Sequence, residues 1–89
     1  MKRRVITATN VLFHQFGSEA VLLNITNETY YRLDPVALDM WQALTNSASV
    51  DEAKTQLIAM YDADPAVIEA DLNEFMDRLQ KSQLIEVQE

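Results

Sequence analysis

The sequence predicts a small α+β domain, and three observations carry that prediction. The first 33 residues contain three short runs of strand-forming residues separated by turn residues. After residue 33 the apolar residues recur at helical spacing, and an Asp-Pro pair precedes two of the helical segments. The chain has 89 residues, of which 48% are hydrophobic, so it suits one domain with a modest core. A three-stranded sheet followed by three helices is typical of winged helix-turn-helix-like folds.

The N-terminal part of the chain predicts an antiparallel sheet of three strands. Three apolar runs alternate with turn residues and mark the strands: 11–16, 19–25 and 29–33. Gly17-Ser18 predicts the first turn, and Asn27 in the second turn suits the left-handed conformation that turns often need. Because both turns are short, neighbouring strands are expected to be antiparallel.

Three helices are predicted after the sheet. Asp34 is an N-cap followed by a proline at the first helical position, and the apolar spacing then indicates a helix over about 35–45. Ser49 and Glu52 form a capping box for a second helix, whose apolar face runs from Val50 to Tyr61. A second Asp-Pro pair begins a third helix, which ends near residue 80. The segment "LIEV" at 84–87 predicts a short last strand or tail.

Composition argues against several classes of function. The chain has no cysteine, one histidine and one glycine, so no thiolate chemistry, histidine metal site or glycine-rich phosphate loop is expected. No catalytic residue, metal or cofactor is therefore predicted. The basic start lacks a following apolar segment, and no apolar run is long enough to span a membrane, so a cytoplasmic location is expected.

Charge disfavours nucleic acid as a partner. After Arg4 the chain carries all 14 of its acidic residues and only four basic ones. The third helix, which would be the recognition helix of a DNA-binding domain, has four acids and two bases between Pro65 and Lys81. Such a surface repels phosphates, so a winged-helix regulator is the weaker alternative, and a neutral or basic peptide is the easier partner.

The paired tyrosines raise a question of their own. Neighbouring side chains of a strand point to opposite faces, so one of Tyr30 and Tyr31 enters the core and the other faces outward. If the third strand lies at the sheet edge beside the third helix, the two form a groove in which an extended peptide fits. Alternatively, the outward tyrosine merely covers the sheet, or the edge strand pairs with a second copy of the chain.

The chain resembles the PqqD family, whose members are also called RiPP recognition elements. The resemblance covers about residues 11–87 and rests on "LLN" at 22–24, "YYRLD" at 30–34, Trp41 and the stretch from Phe75 to Ile85. It implies one winged-helix-like domain, here residues 1–89, that binds the leader segment of a ribosomally made precursor peptide. The family adds this leader as a strand to its third strand, against its third helix.

The resemblance also implies partners and site residues. The stretch "TYYRLDPVALDMW" at 29–41 looks closest to standalone lasso-peptide leader-binding proteins, which serve a separate leader peptidase. The alternative is the partner of a radical-SAM peptide-modifying enzyme. We expect a monomer or weak dimer with no catalytic activity. The peptide-binding residues are expected on the strand and on the helix: Tyr30, Tyr31, Arg32, Leu33, Val67, Asp71, Glu74, Phe75 and Arg78.

The chain departs from the family pattern in two turns. Asn27-Glu28 stands where the family often has glycine, and Gln83 stands where a glycine often follows the last helix. Because glutamine adopts a positive φ less easily than glycine, the third helix is expected to close differently here.

Overall fold

The computed structural model describes residues 3–89 and contains five strands and three helices in this part of the chain. In chain order they are β1 Arg4–Thr7, β2 Val11–Phe16, β3 Glu19–Asn24, β4 Thr29–Leu33, α1 Pro35–Asn46, α2 Val50–Tyr61, α3 Pro65–Lys81 and β5 Ile85–Gln88. The predicted α+β class, the three-stranded antiparallel sheet, the three helices and the short last strand are confirmed.

The three-stranded sheet has the order β2-β3-β4, so β3 is central and the other two strands are edges. Gly17 begins the first turn at φ 66°, as a two-residue hairpin turn with glycine in its first position requires. In the second turn the expectation for Asn27 is wrong, because Glu28 takes the left-handed conformation at φ 59°. The Asn27 side chain instead accepts a hydrogen bond from the Thr29 N–H at 3.0 Å, so it closes the turn from its side.

The sheet has one buried face and one outer face. Ala20, Leu22 and Leu33 are fully buried on the inner face, where the helices cover them. The cross-strand neighbours Leu23 and Tyr30 lie on the outer face, and Tyr30 remains 71% exposed. Alternation along β4 therefore answers the question of the two tyrosines: Tyr31 points inward and Tyr30 points outward.

A further strand near the N-terminus was not predicted. β1 pairs antiparallel with β5 in a separate two-stranded sheet, with Val5 opposite Val87. Val5 is buried, so this ribbon closes the core beneath α3. Four residues are too few to show a strand pattern, and the partner lies about 80 positions away in sequence, so local periodicity carried no signal.

The three helices begin at the predicted caps. The side chains of Asp34, Ser49 and Asp64 each accept a hydrogen bond from a backbone N–H in the first turn of the following helix. Side chains from all three helices are buried in the core, among them Trp41, Leu57, Leu72 and Leu79. Tyr61, predicted for the apolar face of α2, is instead 39% exposed. No helix in residues 3–89 is long and apolar enough to cross a membrane.

The end of α3 closes on Gln83 despite the absence of glycine. Gln83 adopts φ 60°, its N–H bonds to the Gln80 carbonyl, and the Leu84 N–H bonds to the Leu79 carbonyl at 2.9 Å. These two bonds are the usual closure of a helix on a left-handed residue, so the expected different closure is wrong. The buried Asn24 side chain donates to the Gln83 carbonyl at 2.8 Å and so ties the sheet to this turn.

Candidate functional site

The backbone of β4 has one side paired and one side open. The Ile25 N–H bonds to the Asn10 carbonyl, so odd-numbered residues of β3 direct their backbone groups toward β2. Because these directions alternate along a strand, the even-numbered residues of β3 face β4, and Leu22 pairs with Tyr31. The N–H and C=O groups of Tyr30 and Arg32 consequently point to the open edge. They are free to pair with an added strand.

A groove lies between this edge and α3. Tyr31 meets the buried Phe75 edge-on, with the ring centroids 6.3 Å apart, so the two aromatic rings form its floor. The cavity in this groove has a volume of about 230 Å³. Its lining comes from β4, the start of α1 and α3: Tyr31, Arg32, Asp34, Val36, Ala37, Met40, Asp71, Glu74, Phe75 and Arg78.

The polar rim of the groove carries both signs of charge. Arg78 forms an ion pair with Glu74, one turn earlier on α3, and both side chains are largely exposed. Interaction with the Tyr31 hydroxyl, followed by the charge of Glu74, holds the pKa of Arg78 above its ordinary value. Arg78 therefore stays cationic at the rim of the groove. On β4, Arg32 reaches away from the helix and bonds Glu19 through Nε at 2.9 Å.

A more apolar cavity adjoins the groove. Its volume is about 270 Å³, and it shares Val36, Met40 and Asp71 with the groove. Apolar side chains of α2 and α3, among them Val67 and Ile68, complete its walls. A peptide that followed the groove toward the N-terminus of α3 would thus pass from a mixed surface to an apolar one.

The structure brings most of the predicted site residues together. Six of them line the groove: Tyr31, Arg32, Asp71, Glu74, Phe75 and Arg78. Arg32 does so from the strand edge, because its side chain lies on the same outer face as that of Tyr30 and bonds Glu19. Val67 lines the adjoining cavity, where it is 53% exposed. Two others do not enter the groove, because the Tyr30 side chain is on the outer face and Leu33 is fully buried in the core. Tyr30 can meet an added strand through its backbone and through its outward ring.

The sequence reasoning missed the contribution of α1. Val36 and Met40 lie four residues apart on the side of α1 that faces α3, and Val36 is 51% exposed. The signal was present, because the Asp34 cap places the first turn of α1 directly after β4. An apolar pair at i and i+4 beside the core face of that helix marked a second contact surface.

The described part of the chain offers no evident metal centre. In residues 3–89 no three His, Cys, Asp or Glu side chains are grouped so that they could hold an ion. His14 lies on the exposed strand β2, with its ring centroid 5.9 Å from that of Phe16. The groove itself combines an open backbone edge, two aromatic rings and a charged rim.

Comparisons with known proteins identify the family and the fold of the chain. No curated protein matches the chain in sequence. A solved structure, described as TbiB1 in complex with the TbiA(beta) leader peptide, superimposes with a TM-score of 0.84 at 29% sequence identity. That alignment covers 97% of this chain and 95% of the other. Residues 19–85 match the family described as coenzyme PQQ synthesis protein D, PqqD. The chain belongs to the PqqD family.

Proposed function

We propose that this protein is a non-catalytic adaptor that binds the leader segment of a ribosomally made precursor peptide. The leader adds to β4 as a fourth strand and rests against α3. The observation that carries the proposal is the open β4 edge beside the groove floored by Tyr31 and Phe75. The superimposable TbiB1 structure is a complex with a leader peptide, which supports a leader as the ligand.

The energetics suit a reversible adaptor. Each backbone hydrogen bond from Tyr30 and Arg32 to the leader contributes about 0.5–1.5 kcal/mol net. Two or three apolar leader side chains, buried against Phe75, Met40 or Val67, contribute roughly 1.5–3 kcal/mol each. Ordering a flexible leader subtracts several kcal/mol. The balance is near −8 kcal/mol, which corresponds to a dissociation constant around one micromolar.

The charged rim selects among leaders. Asp71 and Glu74 attract a lysine or arginine of the leader, while Arg78 attracts a carboxylate. Because the rim charges lie at exposed positions, each contributes less binding free energy than an apolar anchor. They still disfavour a leader whose charged side chains meet rim charges of the same sign. The leader that fits is extended and amphipathic, with apolar side chains on the groove side.

The adaptor delivers the precursor peptide to an enzyme by holding its leader segment. A bound leader keeps its attached core segment near any enzyme that also contacts the adaptor, which raises the effective concentration of the core there. The enzyme we propose is a separate leader peptidase of lasso-peptide biosynthesis, and the alternative is a radical-SAM peptide-modifying enzyme. The adaptor needs no reactive group of its own for this role.

The test is a calorimetric titration of the full chain with synthetic leader peptides. The peptides come from short reading frames next to its gene, and scrambled versions of each serve as controls. We expect saturable one-to-one binding of one peptide at micromolar concentration or below. Absence of binding to every peptide by the folded protein would overturn the leader-binding proposal. A cleavage or modification assay, with and without the protein, then separates the two kinds of enzyme partner.

A further inference from the structure

The second open edge of the sheet has an unusual surface. β2 pairs with β3 on one side, and no strand covers its other side in residues 3–89. Three of its large apolar side chains are exposed: Leu12 by 55%, Phe13 by 42% and Phe16 by 48%. Exposed edges are ordinarily protected by lysine, by proline or by a bulge. β2 contains no lysine or proline, and its register with β3 is continuous. An unprotected apolar edge of six residues is expected to pair with another strand.

Charge decides which partner fits this edge. The chain as a whole has a net charge of −7, so two copies repel over most of their surface. Residues 5–18, which include all of β2, contain no charged side chain. Two copies can therefore meet at β2 without bringing like charges together, and nothing on the strand attracts a charged partner of another kind. The uncharged edge is complementary to itself.

The backbone geometry permits such a pairing about a two-fold axis. The backbone groups of Asn10 face β3, so by alternation those of Phe13 and Gln15 face the open side. With the axis at His14, Phe13 lies opposite Gln15 of the second copy. Leu12 then lies opposite Phe16 of the second copy on the outer face. Each exposed apolar side chain of that face gains an apolar cross-strand neighbour.

We propose that this chain forms a symmetric dimer through antiparallel pairing of β2 with β2 of a second copy. The result is one six-stranded sheet, in which the two β4 edges and their grooves stay open at the far ends. The surface buried by pairing two six-residue edges is small compared with the roughly 1,200 Å² that stable interfaces bury. The dimer is therefore concentration-dependent rather than permanent. The proposal rests on β2 and stands independently of leader binding.

The absence of cysteine from the chain provides a direct probe of the register. His14→Cys places two thiols opposite each other at the axis, at a non-hydrogen-bonded pair whose Cα atoms lie about 4.5 Å apart. Gln56→Cys, at an exposed position on α2, is the matched control. Under mild oxidation we expect the variant at position 14 to become a covalent dimer much faster than the control. Equal rates for the two variants would overturn the proposed register.

Sedimentation over a concentration series tests the interface itself. We expect the unaltered chain to shift from monomer to dimer mass as its concentration rises. His14→Glu places two carboxylates together and weakens dimerisation about tenfold or more, whereas Gln56→Glu adds the same charge on α2 and leaves it unchanged. A monomer at every concentration, or a dimer equally affected by both substitutions, would overturn the proposal. Leader titration of the monomeric variant keeps the test of the proposed function separate.

Discussion

Replacing Tyr30 with proline removes one backbone donor from the open edge of β4. The N–H of Tyr30 points away from β3, so its loss leaves the pairing of Tyr31 with Leu22 intact. Proline is tolerated on an edge strand when the missing N–H faces solvent. The substitution therefore addresses strand addition while keeping the domain folded.

The magnitude follows from the single hydrogen bond that is lost. Losing a net contribution of about 0.5–1.5 kcal/mol makes the dissociation constant roughly 2- to 13-fold larger. The proline ring also projects toward the space of the added strand, so the upper part of this range is expected. Tyr30→Ala is the matched control, because it removes the exposed ring but keeps the N–H. We expect it to weaken leader binding less than the proline variant.

The assay is a calorimetric titration of each variant with the same leader peptide, after circular dichroism has established that each is folded. Tyr31→Pro completes the series, since it breaks a ladder bond and is expected to destabilise the domain measurably. If folded Tyr30→Pro binds the leader as tightly as Tyr30→Ala does, the backbone of β4 does not pair with the leader. The strand-addition reasoning would then be refuted.

Three further predictions address the rim, a turn and a titrating tyrosine. Asp71→Lys is expected to weaken leader binding several-fold without unfolding the domain, whereas Glu86→Lys on β5 leaves it unchanged; equal affinities in titration would remove Asp71 from the site. The Glu28→Gly variant is expected to have an unfolding free energy about 1 kcal/mol higher than the Glu28→Ala variant, because φ is 59° at this position and glycine adopts a positive φ without strain. Equal denaturation midpoints for the two variants would contradict this. Hydrogen bonding to Asp39, followed by burial, raises the pKa of Tyr61 to about 12, so the stability it contributes is present below pH 10 and lost as pH rises through about 12. Absorbance titration at high pH should show Tyr61 losing its proton late, and Asp39→Asn should return its pKa toward 10. An unshifted midpoint in that variant would contradict the assignment.

Most of the fold could be predicted because its signals are local. The caps at Asp34, Ser49 and Asp64 marked helix starts within a few residues, and the hairpin at Gly17 fixed the register of β2 and β3. β1 could not be predicted in this way, since its partner lies at the other end of the chain. Pairing over such a separation depends on tertiary packing, which no local pattern reports.

The candidate site could be predicted in part, for a similar reason. The sequence analysis placed Tyr31 on the strand and Phe75 on the helix of one groove, and in the structure the two rings meet edge to face. The i, i+4 spacing marked Val36 and Met40 as an apolar pair on α1, but the angle at which α1 leaves β4, which the sequence does not specify, decided that this pair lines the groove. The side of Tyr30 depended on the register of the strand, and a shift of one residue would have exchanged the two tyrosines.

Amide hydrogen exchange, followed residue by residue by NMR, tests the central claim most directly. The uniformly labelled protein is measured alone and saturated with a leader peptide that binds it. The account predicts that the N–H groups of Tyr30 and Arg32, which are open in the free protein, exchange at least about tenfold more slowly in the complex. Unchanged exchange at both positions, in a complex shown by titration to be saturated, would contradict strand addition to β4.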